Sequence, residues 1–263
     1  MIVLIDIGNS RIKLGWLDPA TGAREPEPTA LDHNNLGDGL HTWLTQLPGP
    51  VTHAVGTNVG KAESAKQLEA HLLAEGCPVQ WHQSADSMLG LRNGYTHPEQ
   101  LGADRWAAML GLLGHLPADH GPALLASFGT ATTVDTISPD NTFVGGLILP
   151  GPALMLESLA RNTANLPLAH ADAADYPTDT HQAIVTGVAA AQSGAIFRQW
   201  LAGLQRYGCA PELHVTGGGW PLVAAEVRRL LNEAAQLHGQ TVSILHERDR
   251  LVLDGLAALA TVR

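Results

Sequence analysis

Two stretches of this chain, one at its start and one near its middle, are written to the same pattern. That duplication constrains the fold more than any other feature. Residues 1–15, MIVLIDIGNSRIKLG, run from the apolar Ile2-Val3-Leu4-Ile5 through the break Asp6-Ile7-Gly8-Asn9-Ser10 into an alternating segment. Residues 123–149 run from Ala123–Ala126 through Ser127-Phe128-Gly129-Thr130-Ala131 into a second alternating segment. Aligning Gly8 with Gly129 sets Asp6 over Ser127 and Asn9 over Thr130. A continuous apolar run reads as a buried strand and strict alternation as a half-buried one, so each copy predicts a strand, a small polar turn and a strand. A repeat of half-chain length implies a duplicated domain rather than a solenoid of short repeats.

Each hairpin also has the chemistry of an anion site. Gly8 permits close backbone approach, Asn9 and Ser10 offer donors, and Lys13 adds a charge. Asp6, at the end of its strand, is suited to holding hydrated Mg²⁺. A single such hairpin is equally an ordinary polar turn; two of them facing each other across a cleft would hold a polyphosphate from both sides. Thr216-Gly217-Gly218-Gly219, between an expected strand and helix, suits a flat ligand such as adenine or ribose laid on bare backbone, though a flexible turn explains it too. Neither a Gly-x-x-x-x-Gly-Lys-Ser/Thr nor a Gly-x-Gly-x-x-Gly motif is present, which disfavours a P-loop, Rossmann or protein-kinase site.

The remaining candidate is Asp104-Arg105 at an expected helix start. Arg105 could grip a carboxylate in two-pronged fashion, and Asp104 could accept a proton from a hydroxyl. The plainer alternative is a helix-capping Asp beside a solvated Arg. A net charge of −10 leaves no basic stripe for nucleic acid. Cys77 and Cys209 lack metal-ligand spacing and are expected to be reduced thiols, the 13 histidines are scattered, and no leader or membrane-spanning run is evident. A cytoplasmic protein without membrane or nucleic-acid partners is therefore expected.

Element by element, a helix is expected at 40–47, strands at 51–56 and 79–81, and helices at 61–75 and from Gly102 to about Leu116. In the second half, a long helix over 182–207 interrupted at Gly187 and Gly194, a helix over 222–237, a strand over Val242–Leu245 and a last helix over 250–261 are expected.

The duplicated hairpins and the Thr-Gly-Gly-Gly turn resemble the actin, hexokinase and Hsp70 superfamily. Within it, four motifs in order are similar to type III pantothenate kinases: Asp6-x-Gly8-Asn9-Ser10, Gly102-Ala103-Asp104-Arg105, Gly129-Thr130-Ala131-Thr132-Thr133-x-Asp135 and Gly145-Gly146-x-Ile148-x-Pro150-Gly151. The resemblance implies an α/β fold of two duplicated ribonuclease-H-like (actin-like) domains, residues 1–117 and 118–263, with mixed sheets flanked by helices and a nucleotide cleft between them. It implies ATP-dependent phosphorylation of pantothenate to 4'-phosphopantothenate, the first step of coenzyme A biosynthesis, by a homodimer. Carried over by position, Asp6, Ile7, Gly8, Asn9, Ser10, Arg11, Ile12 and Lys13 form the first phosphate loop, with Asp6 on Mg²⁺. Thr130 and Thr132 match the second loop, and Gly217 and Gly218 the adenosine turn. Asp104 matches the proton acceptor, and Tyr95, Gly102, Ala103, Asp104 and Arg105 the pantothenate site. Thr180, in preference to Thr186, matches a threonine supplied across the dimer interface. Ser127 stands where relatives carry an Asp that helps bind potassium or ammonium, which implies a weakened cation site. Competing readings are a transcriptional accessory factor on the same fold and a superfamily kinase acting on another small molecule.

Overall fold

The computed structural model describes residues 1–241 and 245–262. In chain order the elements begin with β1 (Ile2–Ile7), β2 (Ile12–Leu17), β3 (Thr29–Leu31), α1 (Leu36–Thr45), β4 (His53–Asn58), α2 (Ala62–Ala74) and β5 (Val79–Trp81). Next come β6 (Ser87–Met88), β7 (Leu91–Asn93), α3 (Ala103–Leu113), β8 (Ala123–Phe128), β9 (Ala131–Ile137), β10 (Thr142–Pro150) and α4 (Pro152–Asn162). The chain continues through α5 (Thr180–Tyr207), β11 (Glu212–Thr216), α6 (Ala224–Leu237), β12 (Leu245–Glu247) and α7 (Leu251–Ala260). Of the strand expected over Val242–Leu245, residues 242–244 lie outside the described residues.

Two compact units result, one of residues 1–116 with 250–263 and one of residues 117–249. In the first, every residue of β1 is buried, as its unbroken apolar run requires, and the sheet order is β3-β2-β1-β4-β5. β2 runs antiparallel to β1 and β3 antiparallel to β2, whereas β4 and β5 run parallel to β1, with α2 as the crossover between those two. Val3, Ile5, Ile7, Ile12 and Leu14 pack against Leu36, Leu40, Leu68 and Leu72 of the helices. Cys77 is buried beside them, and loss of water pushes its thiol up to about 11.

In the second unit the order is β10-β9-β8-β11-β12, with the same pattern of directions: β9 and β10 antiparallel, β11 and β12 parallel. The two five-stranded arrangements are thus topological copies. Leu124, Phe128, Val134, Leu213 and Val215 form a core with Ile196, Trp200, Trp220, Val227 and Leu231. α5 runs unbroken for 28 residues, so the expected interruptions at Gly187 and Gly194 do not occur. A helical glycine costs roughly 1 kcal/mol, and burial of Ile184, Val188, Ile196 and Trp200 on one side outweighs two of them. Gly208, at φ 74, ends the helix.

There are two further differences from the sequence expectations, one set by contacts distant in the chain and one local. The last helix, expected with the second half, belongs to the first unit because α7 packs on α3. A Cβ on Gly111 would overlap the Leu251 carbonyl, and one on Gly255 the Ala107 carbonyl, so the two backbones touch. Asp254 reinforces the docking through Arg24 at 3.1 Å and His115 at 3.0 Å. The stretch 87–93 is a hairpin, with Leu89 and Gly90 at positive φ, where the sequence pattern predicts no strand.

Candidate active site

Asp6 lies one residue before the end of β1, in register with Lys13 on β2 and Thr57 on β4. Register partners share a face, so the three side chains form a row across the sheet. The Asp6 carboxyl is 8% exposed, and burial raises its pKa from 3.8 to about 6. Lys13 opposes that rise, and the charge of Asp104 adds to it, which brings the start of α3 into electrostatic range of the strand end. The Thr57 hydroxyl is buried without a hydrogen-bond partner.

The turn after β1 is closed by the Gly8 amide donating to the Arg11 carbonyl at 3.0 Å. Asn9, Ser10, Arg11 and Lys13 are exposed, whereas the Ile7 and Ile12 side chains belong to the core. Any part those two isoleucines take in a ligand site is therefore through the main chain. The turn is supported from beneath. The Val59 and Gly60 amides donate to the Ile7 carbonyl at 3.0 and 3.1 Å, and a Cβ on Gly60 would overlap the Gly8 carbonyl. His33 Nε2 donates to the Gly8 carbonyl at 3.1 Å, which leaves Nδ1 to accept from the Ser64 hydroxyl at 2.8 Å. His33 and Gly60 escape sequence reasoning because they meet the turn only through the fold.

At the start of α3, Gly102 occupies the N-cap and no side chain caps the helix, so Asp104 is not the capping residue. Its Oδ1 instead accepts the Arg105 amide at 2.8 Å, and a Cβ on Gly102 would stand 2.7 Å from that oxygen. Burial raises the Asp104 pKa, partly offset by that amide and by the Arg105 charge. Ala103 and Arg105 are buried, and Arg105 Nη1 donates to the Tyr95 hydroxyl at 3.1 Å. Asp6–Lys13, Tyr95 and Gly102–Arg105 all belong to the first unit.

The second unit carries the other candidates. Phe128 pairs with Thr132 across a turn in which the Gly129 amide donates to the Ala131 carbonyl at 3.0 Å. Thr130 is exposed at the tip, while Thr132 is wholly buried with an unpartnered Oγ1. Gly151 supports this turn as Gly60 supports the first: its amide donates to the Thr130 carbonyl at 2.9 Å, and its Cβ would overlap the Gly129 carbonyl. Gly217 sits at φ 101 with no room for a Cβ against the Phe128 carbonyl, whereas a Cβ on Gly218 would meet nothing. The Gly219 amide donates to that same carbonyl at 3.0 Å, tying the glycine turn to the hairpin. Thr180, by contrast, is exposed at the first turn of α5 and makes no such link, and Thr186 Oγ1 accepts the Ala174 amide at 3.0 Å.

The family model for type III pantothenate kinase matches residues 2–202. A type III pantothenate kinase of Bordetella bronchiseptica is 56% identical over 262 residues, covering 99% of this chain and 97% of its own. Another, of Azoarcus sp., is 39% identical over 261 residues, covering 99% and 90%. Among solved structures, a Baf-family protein of Campylobacter jejuni aligns over 98% of this chain and 96% of its own, at TM-score 0.54 and 18% identity. The glucokinase of an Antarctic psychrotroph aligns over 99% of both chains, at TM-score 0.50 and 13% identity. These two likenesses speak to the fold alone, a mixed α/β architecture with two mixed sheets flanked by helices. On the full-length relatives and the family match together, the chain belongs to the type III pantothenate kinase family.

Proposed function

We propose that this chain transfers the γ-phosphoryl group of ATP to the primary hydroxyl of pantothenate, giving 4'-phosphopantothenate at the entry to coenzyme A biosynthesis. The observation that carries the reading is the half-buried Asp104 beside the buried Arg105 at the start of α3, with Asp104 within electrostatic range of Asp6. Pantothenate has a carboxylate at one end and a primary alcohol at the other. Arg105, steadied by Tyr95, binds the carboxylate, and Asp104 orients the alcohol and takes its proton. A carboxyl whose pKa is raised by burial is a better proton acceptor than an exposed one.

Asp6 fits a hydrated Mg²⁺ on its own surroundings. It is a carboxylate withdrawn from water beside an unpartnered buried hydroxyl, and a bound cation would satisfy both. Mg²⁺ would supply charge neutralisation on the phosphates. The backbone and exposed side chains of Asn9, Ser10 and Arg11, on the turn that Gly8 closes, bind phosphate oxygens together with Lys13. In the second unit the exposed Thr130 offers a further phosphate contact, with the buried, unpartnered Thr132 hydroxyl behind it, and the turn of Gly217 and Gly218, open at Gly218, receives adenosine. Phosphoryl transfer depends chiefly on positioning and charge, which is what these fixed groups provide.

The active species is a homodimer in which Thr180 reaches the partner's pantothenate. The support is the exposed Thr180 at the start of α5 and the exposed Ala190 and Ala191, with Gly187, along the helix that follows it. The protein acts in the cytoplasm. A coupled assay with Mg²⁺·ATP should show turnover with pantothenate and little with glucose or glycerol. Absence of turnover in any monovalent salt would refute the reading. Sedimentation should give twice the 27.7 kDa chain mass, and a fully active monomer would overturn the dimer.

A further inference from the structure

On one face of the second unit's sheet stand two imidazoles and a carboxylate that the phosphoryl-transfer chemistry does not use. Glu212 and His214 are two residues apart on β11, so they share a face, and His246 is the in-register partner of His214 on the parallel strand β12. The two rings are stacked with centroids 4.8 Å apart and planes inclined by 15°. That spacing is the roughly 4.8 Å separation of neighbouring strands, so the backbone itself sets it. Glu212 Oε2 lies 3.9 Å from His214 Nε2 and 3.7 Å from His246 Nε2. One oxygen and two ring nitrogens therefore converge, with one ligand atom from each residue within 4.8 Å of the others.

The separations discriminate between chemistries. Both Nε2–Oε2 distances exceed the roughly 3.2 Å limit of a good N–H···O hydrogen bond. They approach instead the edge of a tetrahedron with arms of about 2.0–2.1 Å, which is about 3.4 Å. The two Nε2–Oε2 edges need to shorten by a few tenths of an ångström and the edge between the two imidazole nitrogens, which lie within 4.8 Å, by about an ångström; turning the half-exposed Glu212 and His246 side chains supplies both, while the buried His214 is held in place by the sheet. Two neutral imidazoles with one carboxylate select a borderline transition ion over Mg²⁺, which prefers oxygen. The half-exposure of two of the three ligands leaves a side open for water to complete the coordination.

We infer that Glu212, His214 and His246 form a binding site for a divalent transition-metal ion of the Zn²⁺ type, separate from the Mg²⁺ required for phosphoryl transfer. The site lies toward the start of β11, whereas Thr216 and its glycine turn lie at the other end, about 13 Å from Glu212 at strand rise. β12 is a three-residue edge strand, and the ion clips it to β11. Its role is to fasten that edge, which among the described residues pairs with β11 at three positions.

Metal-stripped protein titrated calorimetrically with Zn²⁺ should bind one ion per chain with micromolar or tighter affinity, and thermal unfolding should shift upward by several degrees. Co²⁺ should give visible absorption of tetrahedral intensity. His246→Gln and Glu212→Gln, both at half-exposed positions, should each weaken Zn²⁺ binding at least tenfold and remove the thermal shift. Excess Mg²⁺ should not compete. Absence of saturable Zn²⁺ binding below millimolar concentration would overturn the inference, as would unchanged affinity in both variants, since one of the chain's other histidines would then be the ligand.

Discussion

Arg105 donates from Nη1 to the hydroxyl of Tyr95 at 3.1 Å, and its guanidinium carbon stands 5.8 Å from the centre of the same ring. The two residues come from different parts of the first unit, one in the loop after β7 and one in the first turn of α3. Ring and hydroxyl together hold the guanidinium in one orientation, which presets its plane for two-pronged contact with a carboxylate. Arg105→Ala should raise KM for pantothenate roughly 10- to 100-fold, as expected when a hydrogen bond to a charged group worth about 1.5–3 kcal/mol is lost, with a smaller change in kcat. Tyr95→Phe keeps the ring and should cost less than about tenfold in KM. Asp104→Asn should instead lower kcat with little change in KM. Steady-state kinetics of the three variants checks this division, and equal, affinity-only losses in Arg105→Ala and Asp104→Asn would contradict it.

The residues of the candidate site are legible in the sequence because they sit in short motifs, but what holds them is not. Asp6 over Ser127 follows from the repeat, and the structure places both one residue before the end of the first strand of a topologically identical sheet. The turns differ: Ile7 pairs with Ile12 across four residues, Phe128 with Thr132 across three. Gly60 under Gly8 and Gly151 under Gly129 are contacts between chain segments far apart, and no local periodicity encodes them. The same holds for α7, whose apolar pattern announces a helix but not its partner. Thr57-Asn58-Val59-Gly60 gains meaning only as the first unit's counterpart of Thr216-Gly217-Gly218-Gly219, since both follow a strand parallel to the first and return amides to its last carbonyl.

The α3–α7 contact can be tested by substitution. Gly255→Ala forces a methyl into the Ala107 carbonyl and should destabilise the protein by about 3 kcal/mol or more, because two backbones would have to separate. Gly121→Ala, where a Cβ meets nothing within 4 Å, should change stability by less than about 0.5 kcal/mol. Urea unfolding of both variants measures the contrast. A stable Gly255→Ala protein would show that α7 is not docked as described.

Asp6 makes stability depend on pH with a definite sign. Its folded pKa of about 6 lies above its ordinary 3.8, so between those values the folded state binds more protons than the unfolded one. Stability in the ligand-free protein therefore falls as pH rises through this window, and the full penalty of an ionised buried carboxylate stands above pH 6. Asp6→Asn removes the penalty. Its stability relative to the parent should be near zero change below pH 4 and should rise above pH 6 to a plateau of roughly 3 kcal/mol at most, since each pH step of one between the two pKa values contributes about 1.4 kcal/mol. Urea unfolding of both proteins from pH 4 to 7 without Mg²⁺ reads this difference directly. A constant offset across the range would mean that Asp6 titrates as an exposed carboxyl does.

Ser127 occupies in the second unit the position of Asp6 in the first. Asp6 lies between Lys13 and Thr57 in register, and Ser127 between Thr133 and Thr216. A row of carboxylate, ammonium and hydroxyl is thus matched by a row of three neutral hydroxyls. A weakly hydrated monovalent cation can be bound by neutral oxygens, but without a carboxylate the site loses most of its electrostatic attraction for the ion. Asp135 does not replace it: the residue is 1% exposed in the middle of β9, opposite Gly146 and Leu125 rather than in the Ser127 row. Turnover should accordingly require Mg²⁺ yet change less than about twofold when potassium or ammonium replaces sodium at constant ionic strength, a factor worth under ~0.5 kcal/mol. Ser127→Asp restores the charge and should make activity clearly dependent on potassium. Assays of both proteins across matched chloride salts decide the matter. Strong potassium activation of the unmodified chain would show that three hydroxyls and the surrounding backbone suffice to hold the ion.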